Sequence, residues 1–159
     1  MKRWLWFGWI PKAYTRGMLV QSNLVWPTPH NHTGAHLLLS LSCWGARALN
    51  MLDPSKKING CLQVLKGSHN LGRIEHGINK DQVGADMVRV EYAMKHFELV
   101  EVEMDPGDTL FFHCNLLHAS SKNESDQTRN VLLSCYNRAD NQPFLECPGN
   151  GHTLFETLP

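Results

Sequence analysis

The sequence predicts a mainly β domain, a sandwich or barrel with minor helix, and three observations carry that expectation. Short apolar runs that alternate with a period of two recur along the chain, as in CLQVL (61–65) and FELVEVEM (97–104). Turn chemistry separates them: Asn59-Gly60, the two glycines of KGSHNLG (66–72), and DPGD (105–108). No internal repeat and no coiled-coil pattern competes with that reading. At 159 residues the chain is long enough for one domain with a sizeable core.

Taken in order, residues 1–36 are rich in Trp, Pro, His and Gly and show no sustained period. Residues 37–52, LLLSLSCWGARALNML, form either a buried strand or a short helix, and periodicity does not decide between them. DPSKKING (53–60) reads as a hairpin turn because it ends in Asn-Gly, and CLQVL reads as a strand. Residues 73–96 are polar and mixed, a long excursion with a helical turn near Asp81–Met87. FELVEVEM alternates apolar with acidic and suits a half-exposed strand. TLFFHCNLLHA (109–119) is a long buried strand, SSKNESDQT (120–128) a solvated loop, and RNVLLSCYNR (129–138) the next strand. The tail from Ala139 is rich in Pro, Gly and Asn.

Charge is balanced overall, with 15 basic and 15 acidic side chains, so electrostatics imply neither a nucleic-acid nor a membrane partner. Its distribution is uneven. Residues 1–52 hold Lys2, Arg3, Lys12, Arg16 and Arg47 and no acid at all, and all five tryptophans lie within the first 44 residues. The five cysteines are odd in number and form no CxxC pair, which fits buried thiols in a reducing compartment. No apolar run reaches membrane-spanning length. The start, MKRWLWFGWI, is stopped by Pro11 and Lys12 before a signal-peptide core develops, so an intracellular, cytoplasmic location is expected, with peroxisome or mitochondrion as alternatives.

Two residues carry chemistry. His118 closes a buried strand just before a polar loop, where a neutral imidazole can ligate iron, zinc or copper. Arg129 follows that loop, eleven positions on, and a guanidinium there suits the two-pronged grip of a carboxylate-bearing cosubstrate. The expected arrangement has both on adjacent paired strands. A zinc hydrolase is disfavoured, since neither HExxH nor a paired-Cys site occurs.

The strings NGCLQVLKGSHNLGRIEHG (59–77) and DPGDTLFFHCNLLHASSKNESDQTR (105–129) together resemble the phytanoyl-CoA dioxygenase family. The resemblance implies a double-stranded β-helix, the jelly-roll or cupin-like barrel. It also implies Fe(II) and 2-oxoglutarate, and hydroxylation of a small or lipid-like organic substrate. By that likeness His118 is the distal iron ligand and Arg129 binds the distal carboxylate of 2-oxoglutarate. Ser120 and Asn123 help to position the cosubstrate, and Gln63 lines the pocket. Residues 1–45 then form a divergent segment, 46–145 the barrel portion and 146–159 a tail.

One part of the family pattern is missing. The resemblance implies a His-x-Asp upstream of Ala48-Leu49, yet PTPHNHTGAH (27–36) contains histidines and no acid. Asp53, the nearest carboxylate, lies in the wrong turn. Four explanations fit: a truncated or alternatively spliced product; a barrel that has lost iron; an irregular metal set of His30, His32 and His118; or a halogenase-like His32-Thr33-Gly34. The rival function is a catalytically silent β-barrel binding module with an anion site at Arg129. His69 is expected to be a loop hydrogen-bonder, and His113 to face away from His118.

Overall fold

The computed structural model describes residues 4–7, 18–26, 45–79, 82–138 and 153–155. The strands in chain order are β1 (Trp4–Phe7), β2 (Met18–Trp26), β3 (Gly45–Met51), β4 (Leu62–Lys66), β5 (His76–Asn79) and β6 (Gln82–Ala85). The helix α1 (Met87–His96) follows, then β7 (Glu98–Val102), β8 (Thr109–His113), β9 (His118–Ser120), β10 (Val131–Arg138) and β11 (Thr153–Phe155). They form a six-stranded sheet in the order β1-β8-β3-β10-β2-β11, a three-stranded sheet in the order β7-β4-β9, and the β5-β6 hairpin. All pairings are antiparallel except β1 with β8. This is the mainly β architecture with minor helix that the alternating runs predict.

The core lies between the two larger sheets. Leu49, Met51, Leu110, Phe112 and Val131 come from the large sheet and Leu62, Val64 and Val102 from the small one; Met104 and Leu116 close the gap from loops. Alternation explains the choice. Cross-strand partners share a face, so Leu49 with Leu110, and Val64 with Val100, point inward together. Their neighbours Leu99 and Glu101 turn outward. Cys61, Cys114 and Cys135 are buried thiols, as expected.

Three local readings are corrected. The 109–119 run is two strands: a turn at 114–117 ends β8 in the large sheet and starts β9 in the small one. The backbone N–H of Leu117 donates to Ser68 Oγ at 2.9 Å, so the Gly-Ser-His loop pins this break. The Asn-Gly at 59–60 does not close a hairpin, because β3 and β4 lie in different sheets. It ends a 3-10 turn, with Gly60 at φ 77 where a Cβ would run into the Ser121 carbonyl. The helix also starts at Met87 rather than near Asp81, because Asp86 Oδ1 accepts the N–H of Arg89 at 2.9 Å and caps it.

Leu110 is completely buried between the sheets. Replacing it by Ala removes methyl and methylene groups from a packed interior and should cost about 2–5 kcal/mol. Urea unfolding should show a lower midpoint at unchanged slope.

Candidate functional site

β9 carries the site because its pairing with β4 fixes its parity. His118 is opposite Val64 and Ser120 opposite Leu62, so both face the interior; Ala119 pairs with Gln63 on the outside. The His118 ring is held at both nitrogens. Nδ1 lies 2.7 Å from the Leu116 carbonyl oxygen, an acceptor only, so Nδ1 carries the proton. Nε2 then presents its lone pair inward, where Arg47 Nη1 donates to it at 3.4 Å. The Phe112 ring meets the imidazole edge-on, with centroids 5.2 Å apart.

Burial, followed by the Arg47 charge, disfavours the imidazolium and pulls the His118 pKa from 6.5 to about 4. His69 and His113, with ring centroids 5.5 Å apart, are also shifted down, chiefly by burial. His113 belongs to β8 and His118 to β9. They face differently because the chain turns between them, not because of a strand offset.

Arg129 is buried at the entrance to β10. Its Nε donates to the Asn59 carbonyl at 3.2 Å and Nη2 donates to Ser120 Oγ at 3.3 Å. Burial lowers its pKa from the ordinary value, yet a guanidinium stays charged in a protein. The 53–60 turn supports it from two sides. Asn59 is fixed by Nδ2 donating to the Pro54 carbonyl at 2.8 Å and by Oδ1 accepting the Lys56 N–H at 2.7 Å. Asp53 Oδ2 accepts from Thr128 Oγ1, Asn130 N–H and Asn130 Nδ2 at 3.0, 2.9 and 2.7 Å. The residues on either side of Arg129 are thereby clamped, and the Asn130 N–H, foremost, draws the Asp53 pKa below its usual value.

His118 and Arg129 are therefore brought to one interior, but not on adjacent strands: β9 pairs with β4, whereas β10 pairs with β2 and β3. Ser120 joins the Arg129 end. Asn123 does not. Its Oδ1 accepts from Ser125 N–H and Oγ at 2.9 and 2.8 Å, and its Nδ2 donates to the Gln127 carbonyl at 2.7 Å, which shapes the loop instead. Gln63 faces away from the interior and donates to Glu101 Oε1 at 3.5 Å. His30 and His32 lie outside the described residues. Sequence reasoning missed Arg47, although its alternation with Leu49 and Met51 places it on the inner face of β3.

The family model for phytanoyl-CoA dioxygenase (PhyH) matches residues 25–131, more than half of the chain. The chain belongs to the phytanoyl-CoA dioxygenase family. A probable phytanoyl-CoA dioxygenase of Caenorhabditis elegans is 30% identical over 115 residues, covering 70% of this chain and 35% of that protein. The peroxisomal phytanoyl-CoA dioxygenase of Homo sapiens is 28% identical over 113 residues, covering 69% and 32%. The chain thus spans about a third of the length of these relatives, with 35% and 32% covered.

Two solved structures share the fold. The epimerase SnoN, in complex with Fe3+, alpha ketoglutarate and nogalamycin RO, superposes with TM-score 0.64 at 18% identity, covering 85% of this chain and 58% of that one. The non-heme monooxygenase ThoJ in its apo form gives 0.60 at 20% identity, covering 81% and 50%. Both likenesses support the cupin-like barrel of the phytanoyl-CoA dioxygenase family.

An iron centre of the facial kind needs two imidazoles and a carboxylate converging on one point. Among the described residues no group of three His, Cys, Asp or Glu could hold a metal ion. His118 has the tautomer a ligand requires, but its Nε2 faces a guanidinium, and Asp53 is occupied around Arg129. The described residues therefore do not fit iron.

Two outcomes follow. Between pH 6.5 and about 4 the unfolded chain takes a proton that folded His118 refuses, so stability should fall as pH drops through that window. Urea midpoints in His118→Phe should show a shallower slope, with His69, His76 and His113, all shifted down chiefly by burial, supplying part of what remains. Asp53→Ala should release the Asn130 N–H, so amide exchange there should accelerate while Val64 stays protected.

Proposed function

We propose that this chain is the barrel portion of an Fe(II)- and 2-oxoglutarate-dependent oxygenase of the phytanoyl-CoA dioxygenase type. Its carboxylate-holding side is Arg129 with Ser120, and it acts on a small or lipid-like organic molecule. The observation that carries this reading is the Arg129 guanidinium, buried and bonded to the Asn59 carbonyl and to Ser120, two residues along β9 from His118. A permanently charged planar group in that setting recognises a carboxylate through two parallel bonds, and the Ser120 hydroxyl adds a third contact.

The remaining ligands for Fe(II) have to come from outside the described residues, with His30 and His32 as candidates. No nucleic-acid or membrane partner enters this reading, and no described helix is long and apolar enough to cross a membrane. A cytoplasmic or peroxisomal location suits it, the human and bovine relatives being named peroxisomal.

One observation favours a second reading, a catalytically silent binding module: Arg47 donates to the nitrogen of His118 that a metal would take. Anaerobic addition of Fe(II) and 2-oxoglutarate separates the two. An oxygenase gives a visible charge-transfer band that His118→Ala abolishes; the module binds 2-oxoglutarate without the band. Under either reading Arg129→Met should weaken 2-oxoglutarate binding roughly tenfold to a hundredfold, the loss of a charge-assisted contact. Unchanged binding in that variant would sink both.

A further inference from the structure

We propose that Ser68 is a positioning residue for His118, a role whose functional meaning rests on the reading of that imidazole as part of the site. Acting through the peptide unit between Leu116 and Leu117, it sets which ring nitrogen keeps the lone pair. Two bonds meet on that one unit. Its N–H donates to Ser68 Oγ at 2.9 Å, and its C=O lies 2.7 Å from His118 Nδ1, whose proton it accepts. In a trans peptide those two groups point to opposite sides of one rigid plane. Turning the plane away from Ser68 therefore also turns the carbonyl away from His118.

The chain builds this link from the strand that β9 pairs with. β4 ends at Lys66, and Gly67, at φ 89, turns the backbone into the 3-10 turn Ser68–Leu71. Ser68 is completely buried there. The Leu65 N–H donates to the Leu117 carbonyl at 3.0 Å, so the β4–β9 ladder runs one residue past β9 and brings Ser68 alongside the turn. The peptide units on either side have backbone partners: the Leu116 N–H donates to the His113 carbonyl at 3.0 Å, and the Leu117 carbonyl accepts from Leu65. The unit between them is held by two side chains, Ser68 and His118.

A neutral imidazole has one proton and one free lone pair, and the bond made at one nitrogen fixes the other. With Nδ1–H given to the Leu116 carbonyl, Nε2 keeps the lone pair, and Arg47 Nη1 donates to it at 3.4 Å. Hydrogen bonds in series polarise one another, so a peptide N–H that donates makes its own carbonyl the better acceptor. The Ser68 hydroxyl thus acts on His118 without touching it.

The test uses the full chain, with nitrogen-15 in its histidines, in excess EDTA at neutral pH and without 2-oxoglutarate. The His118 ring signals are assigned by their loss in His118→Phe. In the unmodified chain they should show a protonated Nδ1 and a bare Nε2. Ser68→Ala should draw the two shifts toward each other and speed exchange of the Nδ1 proton about tenfold. Ser68→Thr keeps the hydroxyl and should restore both. Ser68→Cys, with sulfur as a weak acceptor, should fall between. Leu110→Ala lowers stability elsewhere in the core and should leave both shifts in place, which separates positioning from general loosening.

A proton on Nε2 in the unmodified chain, unchanged shifts in folded Ser68→Ala, or the same change in Leu110→Ala would overturn the assignment. Should Ser68→Ala fail to fold, Ser68→Cys decides in its place. Neither iron nor cosubstrate enters the measurement. A failure here leaves the 2-oxoglutarate titration of Arg129 standing, and a failure of that titration leaves the Ser68 result standing.

Discussion

A guanidinium taken out of water has to find acceptors inside the protein, and two separate segments of this chain, the 53–60 turn and β9, are among those that serve Arg129. The Asn59 carbonyl accepts from Nε, the Ser120 hydroxyl accepts from Nη2, and Asp53 fixes the backbone on both flanks. Each of those partners is itself held: Asn59 by its own turn, Ser120 by the β4 pairing, Asp53 by Thr128 and Asn130. Removing one acceptor leaves a buried charge short of a partner, which is costlier than losing an ordinary bond. The 53–60 turn, the 121–128 loop and the start of β10 are therefore one cooperative assembly.

Much of this was legible from residue order. Alternation identified the strands around 61–65, 97–104 and 129–138, and the Gly-Ser-His loop, the Gly-Asp turn and the His118–Arg129 spacing indicated the family. What escaped was whatever depended on which sheet a strand joins. Residues 109–119 are apolar on both sides of the break at 114–117, so no change of period marks it; contacts with remote residues such as the Ser68 hydroxyl do. The Asn59-Gly60 pair is a local hairpin signal, overruled because β3 and β4 go to opposite sheets.

The site residues divide along the same line. His118, Ser120 and Arg129 could be read from the order of the motif, since their positions follow from a strand and the loop after it. Gln63 was ambiguous because strand alternation gives two faces without saying which is inward; the pairing with Ala119 settles that it is the outer one. Asn123 carries a polar side chain in the right stretch, but it lies within reach of its own turn, and local acceptors win over distant ones. By charge alone Arg47 is one of five basic residues in an acid-free region. Its phase with Leu49 and Met51 was the signal that charge counting concealed.

Both arginine contacts described above tie the small sheet to its surroundings: Arg47 reaches His118 from a strand of the large sheet, and Arg129 reaches Ser120 from the segment just before β10. They act as rivets along a single rim. A change that breaks either bond therefore loosens β9 from what surrounds it as well as stripping a contact from a buried cation.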